Sequence, residues 1–260
     1  MIEEILSYLI LGLIQGLTEF LPVSSSGHLT LCSEILGIKS DDITFKVLVH
    51  FATALSTIIV FRKDIVDLIK GFFNSSDKNS KKYIAFLAIS SVPAAIVGFS
   101  LKDQIAALDN PQFVGYMLLV TALILIISQK VNSSIEKGLN AGNATLIGIS
   151  QALAILPGIS RSGSTISTAL VLGISRTEAA RFSFLMALPV ILGATLLETK
   201  DLLEQGAAGS GPMMGYFVGV IAAFVSGLLA CKLMIRLVKG TNLLWFAVYC
   251  AAVGIVAILT

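Results

Sequence analysis

The chain has 260 residues, 55% hydrophobic and only 13% charged, with a mean hydropathy of +0.90. Soluble domains carry roughly 25% charged residues, and the apolar runs here are about 18–20 residues long, so an ordinary soluble fold and a barrel of short alternating strands are both excluded. A net charge of +2 is too small to point to nucleic acid, and the scattered Cys32, Cys231 and Cys250 give neither a disulfide framework nor a metal-ligand spacing.

Residues 5–22 read as an apolar helix that carries Gln15, Thr18 and Glu19 and is ended by Pro22. Glu3 and Glu4 stand where a secretory signal would carry Lys or Arg, so this segment is expected to be retained. Ser24, Ser25, Ser26 and Gly27 read as a tight polar turn, and 28–37 as a short second helix. Each arm falls short of a clean span, which predicts a re-entrant hairpin. Spans are expected at 44–61, 83–101 and 112–129. Residues 62–82 read as the largest polar loop, with a solvated tip from Asn74 to Ser80. A polar connector runs from Lys130 to Gly142.

A second hairpin is expected from a helix over 143–156, a loop from Pro157 to Thr165 and a short helix over 166–174. Three more spans follow at 179–197, 213–235 and 242–260. The connector after the first of these holds Glu198, Asp201 and Glu204 and a glycine-rich run from Gly206 to Pro212. A shift of 136 residues sets Gly12 on Gly148, Gln15 on Gln151, Ser24 on Ser160, Ser26 on Ser162 and Gly27 on Gly163. The expected fold is therefore an all-α integral membrane protein, one membrane domain over 1–260 built from pseudo-repeats 1–137 and 138–260. Each repeat holds a re-entrant helical hairpin and three transmembrane helices.

An odd number of spans per half inverts the second half relative to the first. With 62–82 in the cytoplasm, the basic connectors at 130–142, 176–181 and 236–240 fall on the same side, and the acidic one at 198–212 falls outside. The hairpins then enter from opposite faces and meet near the midplane, where inverted-repeat membrane proteins build their sites.

Arg161 is the strongest chemical signal. A guanidinium cannot lose its proton and grips phosphate oxygens with two donors at once. It stands among Ser160, Ser162, Ser164 and Thr165, with Gly158 and Gly163 nearby and a helix N-terminus following. Gln15 and Glu19 are four residues apart, on one helix face. A carboxylate in an apolar helix is costly, and Glu19 can serve as a base or, with Gln15, as an oxygen ligand to Mg2+ or Ca2+. His28 offers an imidazole for proton transfer or for direct attack on phosphorus, and Ser25 offers a nucleophile or a phosphate ligand. Attack by Ser25, attack by His28 and attack by an activated water all stay open. Ser24, Ser26, Gly27, Ser160, Ser162, Thr165 and Gln151 are the expected substrate-binding groups, although at least one of the three serines is expected to cap the helix after them. His50, inside an apolar span with no polar company in sequence, reads as structural. Arg176, Glu178 and Arg181 read as surface charge at a helix start.

The stretches Gln15-Gly16-Leu17-Thr18-Glu19-Phe20-Leu21-Pro22-Val23-Ser24-Ser25-Ser26-Gly27-His28 and Pro157-Gly158-Ile159-Ser160-Arg161-Ser162-Gly163-Ser164-Thr165 resemble the two signature motifs of undecaprenyl-pyrophosphate phosphatases of the bacitracin-resistance type. The likeness covers essentially the whole chain and includes the segment from Phe182 to Pro189. It implies a divalent-cation-dependent phosphatase acting on a polyprenyl pyrophosphate lipid in the bacterial plasma membrane, with its site toward the outer face. It implies roles for Glu19, Ser25, His28, Ser160, Arg161 and Thr165. Gln15 takes a position where that pattern allows Glu or Gln, so one carboxylate for a metal is missing. The bilayer and the lipid are the expected partners, and a homodimer is the assembly to be tested. Two other readings stand beside this one. Type-2 phosphatidic acid phosphatases also use Ser-Gly-His and Ser-Arg, but they need a second histidine, and none follows His50 here. A polyprenyl-phosphate flippase would share the inverted-repeat architecture.

Overall fold

The computed structural model describes residues 2–38, 42–130, 138–204, 212–240 and 242–260. Among these the chain is helical, with no strand. A first helix pair, α1 (Ile2–Phe20) and α2 (Ser25–Ile35), is followed by α3 (Ile43–Val60), α4 (Arg62–Phe73), α5 (Lys78–Ser100), α6 (Lys102–Ala106) and α7 (Pro111–Lys130). A second pair, α8 (Ala141–Leu153) and α9 (Arg161–Val171), precedes α10 (Arg176–Glu204), α11 (Met213–Gly240) and α12 (Leu244–Leu259). Helices α3, α5, α7, α10 and α11 are long and apolar enough to cross a bilayer, and α12 is apolar but has 16 residues. The protein is a multi-pass membrane protein. The centre of the connector after α7, at 131–137, and the glycine-rich run at 206–211 lie outside the described residues.

Two expectations need correction. Residues 62–82 are not one loop. α4 fills 62–73, with Leu68 and Gly71 buried and Val66, Ile69 and Phe73 exposed. Apolar residues at helical spacing run through this stretch, and its charge density hid them. The polar turn shrinks to 74–77. It ends at Asp77, which caps α5 by accepting from the backbone N–H of Asn79 at 3.1 Å and of Ser80 at 3.0 Å. The second correction concerns two helix starts: α2 begins at Ser25 and not at 28, and α9 begins at Arg161 and not at 166. Ser160 is the N-cap of α9 and accepts from the Gly163 N–H at 3.1 Å, so the glycine and serines expected in a loop form the first helical turn.

The pairing of helices crosses between the two halves of the chain: α1 packs along α11, α8 along α5, α7 along α12, and α3 against α10. Small residues set the spacing. A Cβ on Gly12 would stand 2.1 Å from the Gly219 carbonyl oxygen, and one on Gly148 would stand 2.5 Å from that of Ser90. Between these layers Phe20 and Phe61 pack on Phe184, with ring centroids 5.7 and 6.0 Å away, and Tyr83 packs on Phe182 at 5.8 Å. Aromatic pairs of this kind contribute about 0.5–1.5 kcal/mol each beyond their buried area. Polar ties hold the ends. Asp42, before α3, accepts from Tyr8 at 2.7 Å and from Tyr216 at 2.8 Å. At the other end of α3, Arg181 donates to Asp64 at 2.7 Å and lies over the Tyr83 ring at 4.9 Å, so it anchors α10 to α4 and α5 and is more than surface charge.

Candidate active site

Two sharp turns deliver the site. After α1, Val23 N–H donates back to the Leu21 carbonyl at 2.8 Å, and Ser24 takes φ 72°, a left-handed conformation uncommon for a residue with a Cβ. Ser24 is the N-cap of α2, with its Oγ accepting from the Gly27 N–H at 3.3 Å. The reversal swings Ser25 back onto α1, where its hydroxyl donates to Glu19 Oε2 at 2.5 Å. After α8, Gly158 at φ 95° turns the chain, with no room for a side chain: a Cβ there would stand 2.6 Å from the Val114 carbonyl oxygen. Thr121 of α7 braces this turn, donating to the Gly158 carbonyl and accepting from Ser160 N–H, both at 3.0 Å. Arg161 then opens α9 and donates through Nη2 to Glu19 Oε1 at 2.5 Å. The two turns also touch directly, since Ser162 Oγ donates to the Leu21 carbonyl at 3.0 Å.

Glu19 is the meeting point. Its Oε1 accepts from Arg161, and its Oε2 accepts from Ser25 and, at 3.0 Å, from Gln15 Nε2. The Glu19 side chain is 7% exposed and that of Arg161 17%, so a carboxylate is kept charged out of water by a matched cation and two further donors. Beside them lies a cavity of about 190 Å3. The first helix pair lends it Thr18, Glu19, Ser25 and Ser26, the second lends it Gln151, Ser160 and Arg161, and α3 lends it His50. Ala154, Ile155, Ile159, Ala187, Val190 and Ile191 form the apolar wall. Several buried polar atoms have no protein partner: Arg161 Nη1, both ends of the Gln151 amide and Gln15 Oε1. Leaving such a group unpaired costs about 1–3 kcal/mol. Donors left over beside a paired guanidinium suit an anion rich in oxygen.

The structure therefore brings Glu19, Ser25, Ser26, Gln151, Ser160 and Arg161 to one cavity, and sets Gln15 behind Glu19. It does not bring Ser24, Gly27, His28, Ser162 or Thr165 to the cavity lining. Ser24 caps α2. Gly27 is buried against Val114 and Gly158. Ser162 is spent on the Leu21 carbonyl, and Thr165 bonds the Arg161 carbonyl at 2.8 Å and Ser183 at 2.6 Å. His28 has both nitrogens engaged, Nδ1 with the Ser24 carbonyl at 2.8 Å and Nε2 with the Tyr249 hydroxyl at 2.7 Å. The histidine that does reach the cavity is His50, which the sequence reading set aside. A signal was available: Lys46, His50, Thr53 and Thr57 recur at helical spacing and mark a polar stripe down an apolar span.

The expected cation ligands were Glu19 and Gln15. Among the described residues no group of three or more His, Cys, Asp or Glu stands close enough to hold a metal ion. Mg2+ and Ca2+ take six or more oxygens, whereas the one carboxylate at this cavity already accepts three hydrogen bonds and faces a guanidinium. Among the described residues, the protein by itself offers a divalent cation at this cavity a single carboxylate.

Residues 8–256 match the model of the family described as bacitracin resistance protein BacA. The chain is 48% identical over 262 residues to the undecaprenyl-diphosphatase of Christiangramia forsetii, an alignment covering 98% of each protein. It is 45% identical over 254 residues to the undecaprenyl-diphosphatase of Bacteroides fragilis, with 96% of each covered. To that of Halothermothrix orenii it is 42% identical over 260 residues, with 98% of each covered.

Proposed function

The chain belongs to the bacitracin resistance protein BacA family, and we propose on that footing that it hydrolyses undecaprenyl pyrophosphate to the monophosphate and inorganic phosphate. The reaction returns the lipid carrier to cell-wall synthesis. The observation that carries the chemistry is Glu19 held between Ser25 and Arg161 at the edge of a cavity.

Ser25 is the nucleophile in this reading. Its hydroxyl proton passes along the existing hydrogen bond to Glu19 Oε2 as Oγ attacks the terminal phosphorus, and the bridging P–O bond breaks. The lipid monophosphate leaves as an anion and needs no proton. Protonation of Glu19 removes the charge that held Arg161, so the guanidinium turns to the phosphoryl oxygens and brings with it Nη1, which has no protein partner. Ser160, Ser26 and Gln151 supply further hydrogen bonds to the head group. Direct attack by His28 is disfavoured because both of its nitrogens are engaged. A Mg2+ or Ca2+ ion, where the reaction uses one, would be held by the pyrophosphate oxygens together with Glu19 at most, and would neutralise charge on the head group.

The prenyl chain lies in the bilayer and the two helix pairs are re-entrant hairpins of an inverted repeat. Packing supports the repeat. The shift that sets Gly12 on Gly148 also sets Ser226 on Ser90, and these residues serve matching contacts: Gly12 and Gly16 seat α1 on α11 near Ser226, and Gly148 seats α8 on Ser90 of α5. α7 and α12 cross reciprocally, Gly115 against the Gly254 carbonyl and Gly254 against that of Gly115. The basic connectors then lie in the cytoplasm, and an outward opening of the site in the plasma membrane rests on the likeness to the family. Membrane-impermeant labelling of single cysteines at Asn79 and Asp103 tests the orientation, since they should react from opposite sides.

A flippase would have no use for a serine hydrogen-bonded to a buried carboxylate. Inorganic phosphate released from undecaprenyl pyrophosphate by purified, detergent-solubilised protein tests the function. Release is expected from the wild type and none above background from Ser25→Ala; a wild type that releases none would refute the assignment.

A further inference from the structure

We propose that His50 is the base that activates the water which frees phosphate from Ser25; this rests on the reading of Ser25 as nucleophile. His50 lines the cavity from α3, together with Glu19, Ser25 and Arg161. Its Nδ1 lies 2.7 Å from the backbone carbonyl oxygen of Lys46. A carbonyl only accepts, so Nδ1 carries the hydrogen and Nε2 is left with its lone pair. The orienting carbonyl is itself braced. Lys46 Nζ pairs with Asp109 at 2.7 Å, and the other Asp109 oxygen accepts from Thr30 of α2, the helix that carries Ser25. The imidazole and the nucleophile are therefore fixed in one frame.

Among the described residues no other side chain lining the cavity offers a nitrogen base, because the Gln151 amide is not basic and a guanidinium is a donor with no acceptor nitrogen. The charged groups facing His50 across the cavity are Glu19 from α1 and Arg161 from α9. α2 presents Ser25 and Ser26, α8 presents Gln151, and α10 presents only Ala187, Val190 and Ile191.

The step balances. After the lipid monophosphate departs, phosphate is esterified to Ser25 and Glu19 holds the former hydroxyl proton. Water attacks phosphorus, and its proton passes to His50 Nε2. The bond between phosphorus and Ser25 Oγ breaks, and Oγ recovers its proton from Glu19. The imidazolium returns its proton to the departing phosphate. The site then stands as it began.

The test is rapid-quench turnover of substrate labelled in the terminal phosphate, with wild type, His50→Ala, His50→Gln and Ser25→Ala. His50→Ala should turn over about 100-fold or more slowly, the scale of one general base. Labelled phosphoserine should accumulate at position 25, and added imidazole should restore phosphate release. His50→Gln keeps a polar side chain without a base and should behave like His50→Ala, with no rescue of its own. Wild-type turnover in His50→Ala, or an equal loss of phosphoserine formation, overturns the proposal. A Ser25→Ala protein that still releases phosphate, with no phosphoprotein in any variant, would instead sink the nucleophile assignment. In that case a slow His50→Ala rescued by imidazole would leave His50 as base for direct attack by water.

Discussion

Replacing Glu19 by Gln separates the two jobs that residue performs. The side chain keeps its size and loses its charge, which leaves the Arg161 guanidinium buried without a counter-ion. Removing one partner of a buried pair costs about 3–5 kcal/mol. The retained amide oxygen still accepts a hydrogen bond, so a loss of about 3 kcal/mol is expected. Turnover should fall further, by the roughly 10²–10⁴-fold associated with losing a general base, or about 3–5 kcal/mol in barrier. A second variant, Glu19→Leu with Arg161→Met, removes both charges and fills the space with apolar atoms. Pairs replaced in this way are often neutral or more stable by about 1–4 kcal/mol. Denaturant unfolding of the detergent-solubilised proteins, beside phosphate release from undecaprenyl pyrophosphate, reads both quantities. The double variant should recover stability and stay inactive. A Glu19→Gln protein as stable as wild type, or a double variant that turns over, would refute the claim that one buried ion pair serves both the fold and the chemistry.

Arg161→Lys keeps the charge but loses the fork, one nitrogen of which reaches Glu19 while the other is buried without a protein partner; phosphate release should drop about 10²–10³-fold, the scale of one preorganised donor, and near-normal turnover would argue against its position. Mn2+ followed by electron paramagnetic resonance should show no tight binding to the protein alone and clear binding once pyrophosphate is added, whereas tight binding without it would restore a resident site at Glu19. Asp77 caps α5, and the backbone N–H of Ser80, with its hydroxyl, holds the Asp77 carboxyl below the usual carboxylate range. A carboxyl lowered by folding stabilises above its unfolded value, near 3.9, and the benefit fades as pH falls through the folded value. Amide exchange at Asn79 and Ser80 should therefore quicken relative to the rest of α5 below about pH 4, and Asp77→Ala should abolish that dependence; an unchanged profile would show that the cap is idle.

Much of this site was legible from residues that make no sense in lipid. Glu19, Arg161 and the serine turns are polar groups in membrane-length apolar runs, and burial explains why they find one another. What escaped notice did so for physical reasons. His28 drew attention as an imidazole beside serines, but its second nitrogen is taken by Tyr249, a hydroxyl 221 residues further along the chain with no local signal. His50 looked isolated because it was weighed alone and not as one position in a stripe with Lys46, Thr53 and Thr57. α4 was hidden by lysines and aspartates that share a helix with an apolar face. The start of α9 was misjudged because glycine and serine favour turns, yet Ser160 caps the helix and so recruits its neighbours into the first turn.

The claim beneath all of this is that both helix pairs close on a single anion. Ser26 on α2 and Arg161 on α9 line the same cavity from the two pairs, so a ligand held by one should shield the other. In a cysteine-free background, the alkylation rate of Ser26→Cys with and without inorganic pyrophosphate measures this. Pyrophosphate should slow the reaction at least several-fold, and adding Arg161→Gln should remove the protection. Alkylation indifferent to pyrophosphate, or protection unchanged by Arg161→Gln, would mean that the two halves do not share a site.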